Sequence, residues 1–253
     1  MNNIIKPLVS VVMPCYNASR YIAASIDSVI AQTYRNWELI IVDDCSSDDS
    51  VDVIQSYLVK DNRIKLIRNT SPSGSPAEPR NIGIDSSLGE YIAFLDSDDI
   101  WTSDKLEKQL SLFQNDDYVI VYCDYEVLNE DGTRTGKVNR EPAFTDYKQL
   151  LKYNSIGCSE AIFRKDCLGE CRFKKVGHED YLLWLCFLQK GGIAANSKET
   201  QLLYRERDTS VSSDKLKAVK WTWNIYRREL NLNFCKSIYY FLHYAFKGIE
   251  RHL

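Results

Sequence analysis

Apolar residues come in short unbroken runs in the first half of the chain. Val9–Met13 (VSVVM) reads as a strand buried on both faces and Glu38–Val42 (ELIIV) as a second buried strand, with Ile64–Arg68, Tyr91–Leu95 (YIAFL) and Val119–Cys123 as the third, fourth and fifth strands. Helical spacing fills the gaps. Ile22, Ile26, Val29 and Ile30 share one face of a helix predicted over 20–33. Val51, Ile54, Tyr57 and Leu58 share another, which Ser47 can cap, and Gly89 can end a helical stretch before the fourth strand. Strand and helix alternating in this way predict a mainly parallel sheet with helices on both faces. The rhythm breaks after residue 123. Asn129-Glu130-Asp131-Gly132 is a hairpin turn signal, Thr145–Tyr153 and Glu179–Gln189 are predicted helices, Gly191-Gly192 stops the second, and Thr200–Arg205 is a late strand. With no Ser/Gly-rich linker, residues 1–213 read as one continuous domain, α/β first and mixed α+β afterwards.

From Lys215 two stripes recur at three- and four-residue spacing. The first is Leu216, Val219, Trp223, Tyr226 and Leu230; the second is Phe234, Ile238, Phe241, Leu242, Ala245 and Ile249. Residues 214–253 are thus predicted to be amphipathic helices. The tail from 215 holds eight Lys/Arg against two Asp/Glu, a surplus of six positive charges that the net charge of −3 conceals.

At 253 residues, 44% hydrophobic and 26% charged, the composition excludes disorder as the main state, and the net charge excludes an overall polybasic nucleic-acid binder. No apolar run is long enough for a spanning helix, and the N-terminus lacks the parts of a signal peptide, so the expected location is the cytosol. The eight cysteines include no CxxC pair, and reduced, largely buried thiols are expected in place of zinc or disulfides.

Parallel α/β sheets bind ligands at the carboxyl ends of their strands. Pro14-Cys15-Tyr16-Asn17, Asp43-Asp44-Cys45-Ser46-Ser47 and Asp96-Ser97-Asp98-Asp99 follow the first, second and fourth strands, so several carboxylates converge on one edge. Unpaired, they would repel each other. Hard oxygen ligands on short loops suit Mg²⁺ or Mn²⁺ shared with a phosphate. No GxGxxG follows a strand, Gly132–Lys137 (GTRTGK) falls one residue short of a P-loop, and Asp43–Asp49 lacks the glycine and terminal glutamate of an EF-hand.

Taken together, VSVVMPCYN, ELIIVDDCSSDDS and RNIGIDSSLGEYIAFLDSDDIW closely resemble the family 2 glycosyltransferases of the GT-A fold. The likeness is strong over about residues 7–110, the nucleotide-sugar-binding half, and weaker over about 111–213, the acceptor half. Cys45 departs from the family, where glycine is commoner. The resemblance implies a UDP-sugar donor, a divalent metal and inversion at the anomeric carbon. Tyr16 would pack on the base, with Pro14 and Asn17 shaping that turn. Asp44 would accept from the uracil N–H with Asp43 in support, and Arg80 would contact base or phosphate. Asp96 and Asp98 would form the DxD pair reaching ribose and metal, with Asp99 an alternative metal ligand. Arg205 and Arg207 would lie near the diphosphate.

Gly177-His178-Glu179-Asp180 followed by Leu183-Trp184 resembles the family's ED motif. A sugar hydroxyl is a poor nucleophile at neutral pH, so a carboxylate must take its proton; Asp180 is the expected base, with Glu179 beside it. Trp184, four residues on, shares that helix face and would carry the acceptor sugar. A sugar-1-phosphate nucleotidyltransferase would need a Gly-rich basic loop that VSVVMPCYN lacks, and a vestigial membrane-associated adaptor would not keep the acid set. Size and family imply bacterial O-antigen or capsule synthesis, with a glycan or lipid-diphosphate-linked sugar as acceptor; UDP-glucose or UDP-galactose is the expected donor, UDP-GlcNAc and UDP-GalNAc stay open, and the expected product is a β-linkage. The second C-terminal stripe is expected to touch an anionic membrane, with Lys236, Lys247 and Arg251 at the phospholipid.

Overall fold

The computed structural model describes residues 6–207 and 215–250. Four parallel strands form its first half: β1 (Val9–Cys15), β2 (Trp37–Asp43), β3 (Ile64–Arg68) and β4 (Tyr91–Phe94), in spatial order β3-β2-β1-β4. Helices α1 (Ile22–Ile30), α2 (Ser50–Leu58) and α3 (Ala77–Ser86) join them. Strand alternation sorts the core into two layers. Val9, Val11 and Met13 of β1 face Ile22, Ile26 and Ile54, whereas Val12 faces Ile84 of α3 on the other side. There a Cβ on Gly83 would lie 2.2 Å from Val12 Cγ1, so only glycine lets α3 approach β1 so closely. Ser47 does not cap α2, which begins three residues later, after Asp49.

The sheet continues without a break into the second half. β6 (Tyr118–Leu128) and β10 (Ile193–Arg205) run parallel to each other, and β9 (Ile162–Arg164) lies antiparallel between β4 and β6. The edges take β5 (Ile100–Trp101), β7 (Arg134–Asn139) and β8 (Phe144–Thr145), giving a ten-stranded sheet among the described residues. The Asn129–Gly132 turn joins β6 to β7, with Gly132 at φ +90°. The remaining helices are α4 (Lys105–Leu112), α5 (Tyr147–Lys152), α6 (Glu179–Gln189), α7 (Lys215–Asn224) and α8 (Phe234–Glu250).

Two expectations need correction. Cys171 and Cys186 are joined in a disulfide: α6 folds back on the loop before it and brings their Cα atoms to 6.0 Å, a tertiary proximity that a 15-residue separation does not announce. At the C-terminus the first stripe packs in its later part, with Tyr226 buried beside Ile225 in a π-helical turn, Ile225–Glu229, that follows α7, and with Leu230 against the core, while Val219 is exposed. The second stripe is split. Phe241 lies edge-on to Trp223 with ring centroids 5.4 Å apart, so it does not face outward; Tyr240 also packs on the core, while Phe234, Ile238, Tyr239, Leu242 and Phe246 are exposed. Arg251 and the side chains of Leu216 and Ile249 lie outside the described residues. No described helix is long and apolar enough to cross a membrane.

Candidate active site

The first, second and fourth strands deliver their polar loops to one edge. Tyr16 is 59% exposed, so its ring is available as a platform. The backbone after it turns at Asn17, φ +47°, whose side-chain oxygen accepts from Ser47 N at 2.8 Å and whose own N–H donates to Ser46 Oγ at 3.0 Å. Pro14 lies within β1, paired with Val42, directly before this turn. Asp43 is buried and accepts from Ser46 N. Asp44 takes Asn69 Nδ2 at 2.6 Å, Ser73 N at 3.0 Å and Ser73 Oγ at 2.7 Å. Burial alone would raise its carboxyl, but these donors outweigh that and hold it below the usual range. Asp44 is therefore not a free acceptor: a base N–H would have to replace one of the loop's donors.

Arg80 projects from α3 and is 4% exposed. Its guanidinium bridges Asp96 Oδ1 at 2.6 Å and Glu179 Oε1 at 2.9 Å. Burial opposes its charge, and the carboxylates of Asp96 and Glu179 more than restore it. Arg80 thus ties the loop after β4 to the first turn of α6, a bond between residues 99 apart in sequence. Burial raises the carboxyls of both Glu179 and Asp180, with Arg80 working the other way. Glu179 is committed to Arg80, whereas Asp180 accepts the backbone N–H of Tyr181 at 2.7 Å.

Asp98 pairs with Arg207 at 2.9 Å, and its carboxyl is raised by burial and by neighbouring Asp96. Asp99 is turned inward, 1% exposed, and receives Arg205 N at 3.0 Å, so it serves the fold and is not an alternative metal ligand. Arg205 is also inward. Its Nε donates to Asp98 O at 2.9 Å, and its Nη1 to Glu130 O at 3.0 Å and Asn129 O at 3.3 Å. Of the two expected diphosphate arginines, Arg207 is the one that faces the acidic pair. Among the described residues no group of three or more His, Cys, Asp or Glu side chains could hold a metal ion by itself. Asp96 and Asp98 nonetheless fit a Mg²⁺ or Mn²⁺ ion shared with phosphate oxygens, being hard oxygen donors on one short loop, whose present partners are the guanidinium groups of Arg80 and Arg207.

Trp184 cannot carry an acceptor sugar. It is 0% exposed, with Phe94, Phe163 and Phe187 rings at 6.2, 5.9 and 6.1 Å. Sequence reasoning missed Ser73, Asn69 and Ser159, the last accepting Asp96 N at 3.0 Å; hydroxyl and amide residues in loops carry no periodic signal.

The family model of Glycosyl transferase family 2 matches residues 10–169. Among curated proteins, the UDP-Glc:alpha-D-GlcNAc-diphosphoundecaprenol beta-1,3-glucosyltransferase WfgD of Escherichia coli is 39% identical over 246 residues, 97% of this chain and 95% of its own. TuaG of Bacillus subtilis, provisionally named for teichuronic acid biosynthesis, is 38% identical over 249 residues, 98% of both chains. Solved structures share the fold at lower identity. A Staphylococcus aureus TarS fragment in complex with UDP-GlcNAc gives a TM-score of 0.72 at 18% identity, covering 92% of this chain and 69% of that one. A Pyrobaculum calidifontis mannosyltransferase in complex with GDP-Man and Mn²⁺ gives 0.71 at 16%, covering 91% and 66%. A mixed sheet with acids gathered at its carboxyl edge, a family match across most of that sheet and relatives matching end to end make this chain a member of glycosyltransferase family 2, with the GT-A fold.

Proposed function

We propose that the protein transfers glucose from UDP-glucose to a hydroxyl of a lipid-diphosphate-linked sugar, with inversion, in the assembly of a bacterial surface polysaccharide. The observation that carries this reading is the Arg80 bridge, which puts the Glu179–Asp180 turn against the Asp96 loop where the donor diphosphate would sit. Glucose is preferred to galactose because WfgD and its fellow relative WfaP are named for that donor. Tyr16 stacks on uracil, Asp44 reads its N–H, and Arg207 is free to move from Asp98 to the diphosphate. Asp180 removes the acceptor proton as the acceptor oxygen bonds to C1 and the C1–phosphate oxygen bond breaks, its electron pair leaving on UDP. A Mg²⁺ or Mn²⁺ ion held by Asp96 and Asp98 would offset charge on the departing diphosphate. Incubation with UDP-glucose, Mn²⁺ and N-acetylglucosamine α-diphosphate bearing an alkyl chain should release UDP and add one hexose to the acceptor by mass spectrometry. No product with UDP-glucose, but product with UDP-galactose, would correct the donor.

The metal role has its own check. Asp98→Ala should abolish transfer with the fold intact, and EDTA should do the same to the native protein. Mn²⁺ should raise the melting temperature of the native protein in the presence of UDP but not that of Asp98→Ala. Full activity in EDTA would remove the metal from the mechanism.

We place the protein in the cytoplasm, peripheral on the inner face of the membrane that holds such an acceptor. Support comes from α8, where Phe234, Leu242 and Phe246 are 60, 63 and 67% exposed beside Lys236 and Lys247. Burying one such side chain contributes about 1.5–3 kcal/mol, so Leu242→Ser and Phe246→Ser should each weaken binding to phosphatidylglycerol vesicles by about tenfold or more. These positions are outward-facing, so the fold should survive where deletion of α8 would uncover Tyr240 and Phe241. Unchanged vesicle binding by the double variant would exclude α8 as the contact.

A further inference from the structure

Behind the segment that leads into α6 lies a cavity of about 170 Å³, bounded on one side by Val176 and Gly177 and on the other by Trp221, Asn224, Arg228 and Glu229. Gly177 is two residues from Glu179, about 7 Å along the backbone at most. Resting on the glycosyl-transfer reading, we infer that this cavity seats the pyranose ring of the acceptor, with Trp221 as its platform. The chemistry of the lining matches a sugar. A pyranose has an apolar C–H face and a rim of hydroxyls; an indole takes the face, and an amide, a carboxylate and a guanidinium take the rim.

The wall is held in place from several directions. A Cβ on Gly177 would lie 1.9 Å from the Trp221 ring, so the indole rests directly on this stretch of backbone and no other residue would let it do so. His178 meets the same ring edge-on, with centroids 5.3 Å apart. Lys174 fixes Glu229 at 2.6 Å. The π turn supplies the rest: Leu230 N donates to Ile225 O, five residues back, and this widened turn presents Arg228 and Glu229 on the side already occupied by Asn224. Trp221 thereby takes the part that Trp184, sealed in the core, cannot play. The apolar face of α8 begins a few residues further on, at Phe234, so a lipid attached to this sugar would have a surface to follow.

Isothermal titration with N-acetylglucosamine α-diphosphate bearing an eleven-carbon alkyl chain tests this without turnover. Trp221→Ala should bind the analogue about tenfold or more weakly, the scale on which aromatic anchors act, while its dissociation constant for UDP stays within twofold. Trp221→Phe should recover most of the loss. Asn224→Ala and Arg228→Ala change exposed side chains, so they keep the test open if Trp221→Ala does not fold, and each should weaken the analogue alone. The inference is overturned if the native protein does not bind the analogue, if the variants bind it as tightly as the native protein, or if UDP binding falls in parallel. Native protein that binds the analogue yet releases no UDP from UDP-glucose would count against the proposed reaction and leave the cavity's assignment standing.

Discussion

Asp180→Asn is expected to lower kcat by about 10²–10⁴-fold, the range for loss of a positioned general base, while UDP binding stays near the native value. The amide keeps the shape and can still accept from Tyr181 N, so the first turn of α6 should hold. What it cannot do is take a proton. Glu179→Gln should cost less, because Glu179 spends its charge on Arg80 and leaves Asp180 to meet the hydroxyl. The pH profile gives a second reading. Burial raises the Asp180 carboxyl, so in the native protein kcat/KM should fall as pH drops through a value above the ordinary carboxylate range. That acid limb should be absent from whatever activity Asp180→Asn retains. An inactive Glu179→Gln beside an active Asp180→Asn would reverse the assignment of the pair.

Arg80→Met should reduce activity more than 100-fold and destabilise the fold by about 3 kcal/mol, the lower end for removing one member of a buried ion pair. The lower end applies because the Asp96 side chain keeps 32% exposure and can be solvated in part. Without the guanidinium, Glu179 and Asp180 lose the one influence that lowers both carboxyls, so the acid limb should move to higher pH. This direction separates two roles for the residue. An arginine that only gripped the donor phosphate would raise the KM for UDP-sugar and leave the limb where it was.

The parallel half of the fold was legible because β1 and β2 are buried on both faces and write themselves as apolar runs, and the edge strand β3, only partly buried, was still read with its observed ends. The two-residue β5 and β8 and the three-residue β9 are too short to carry a period, and β9 enters the sheet through distant partners, pairing Phe163 with Ile92 of β4 and Ile120 of β6. The Trp184 error has a clear source. Spacing of four residues puts Trp184 on the face of Asp180 only if α6 has a wet face, yet Tyr181–Leu185 are all buried. A helix apolar all round is an interior helix, and YLLWLCFL carried that message. Cys45 gave the opposite lesson. Its φ of +63° is the left-handed conformation that glycine adopts most readily, which fits the glycine that the family resemblance implied for this position. Which of the two arginines faces the acids could not be read at all, since β10 ends at Arg205 and strand alternation no longer sets the direction of Arg207 beyond it.

Arg205 gathers carbonyls from Asp98, Asn129 and Glu130 while its own N–H rests on Asp99. One side chain therefore rivets the end of β10 to the 96–99 loop and to the hairpin tip. For recombination between relatives this sets the units of exchange. A chimera that joins two enzymes near residue 110 takes Arg205 and the loop it clasps from different parents. The 96–99 loop, the 129–130 turn and position 205 are joined by these bonds and are best exchanged as one unit, whereas none of these bonds reaches the outward strand Arg134–Asn139.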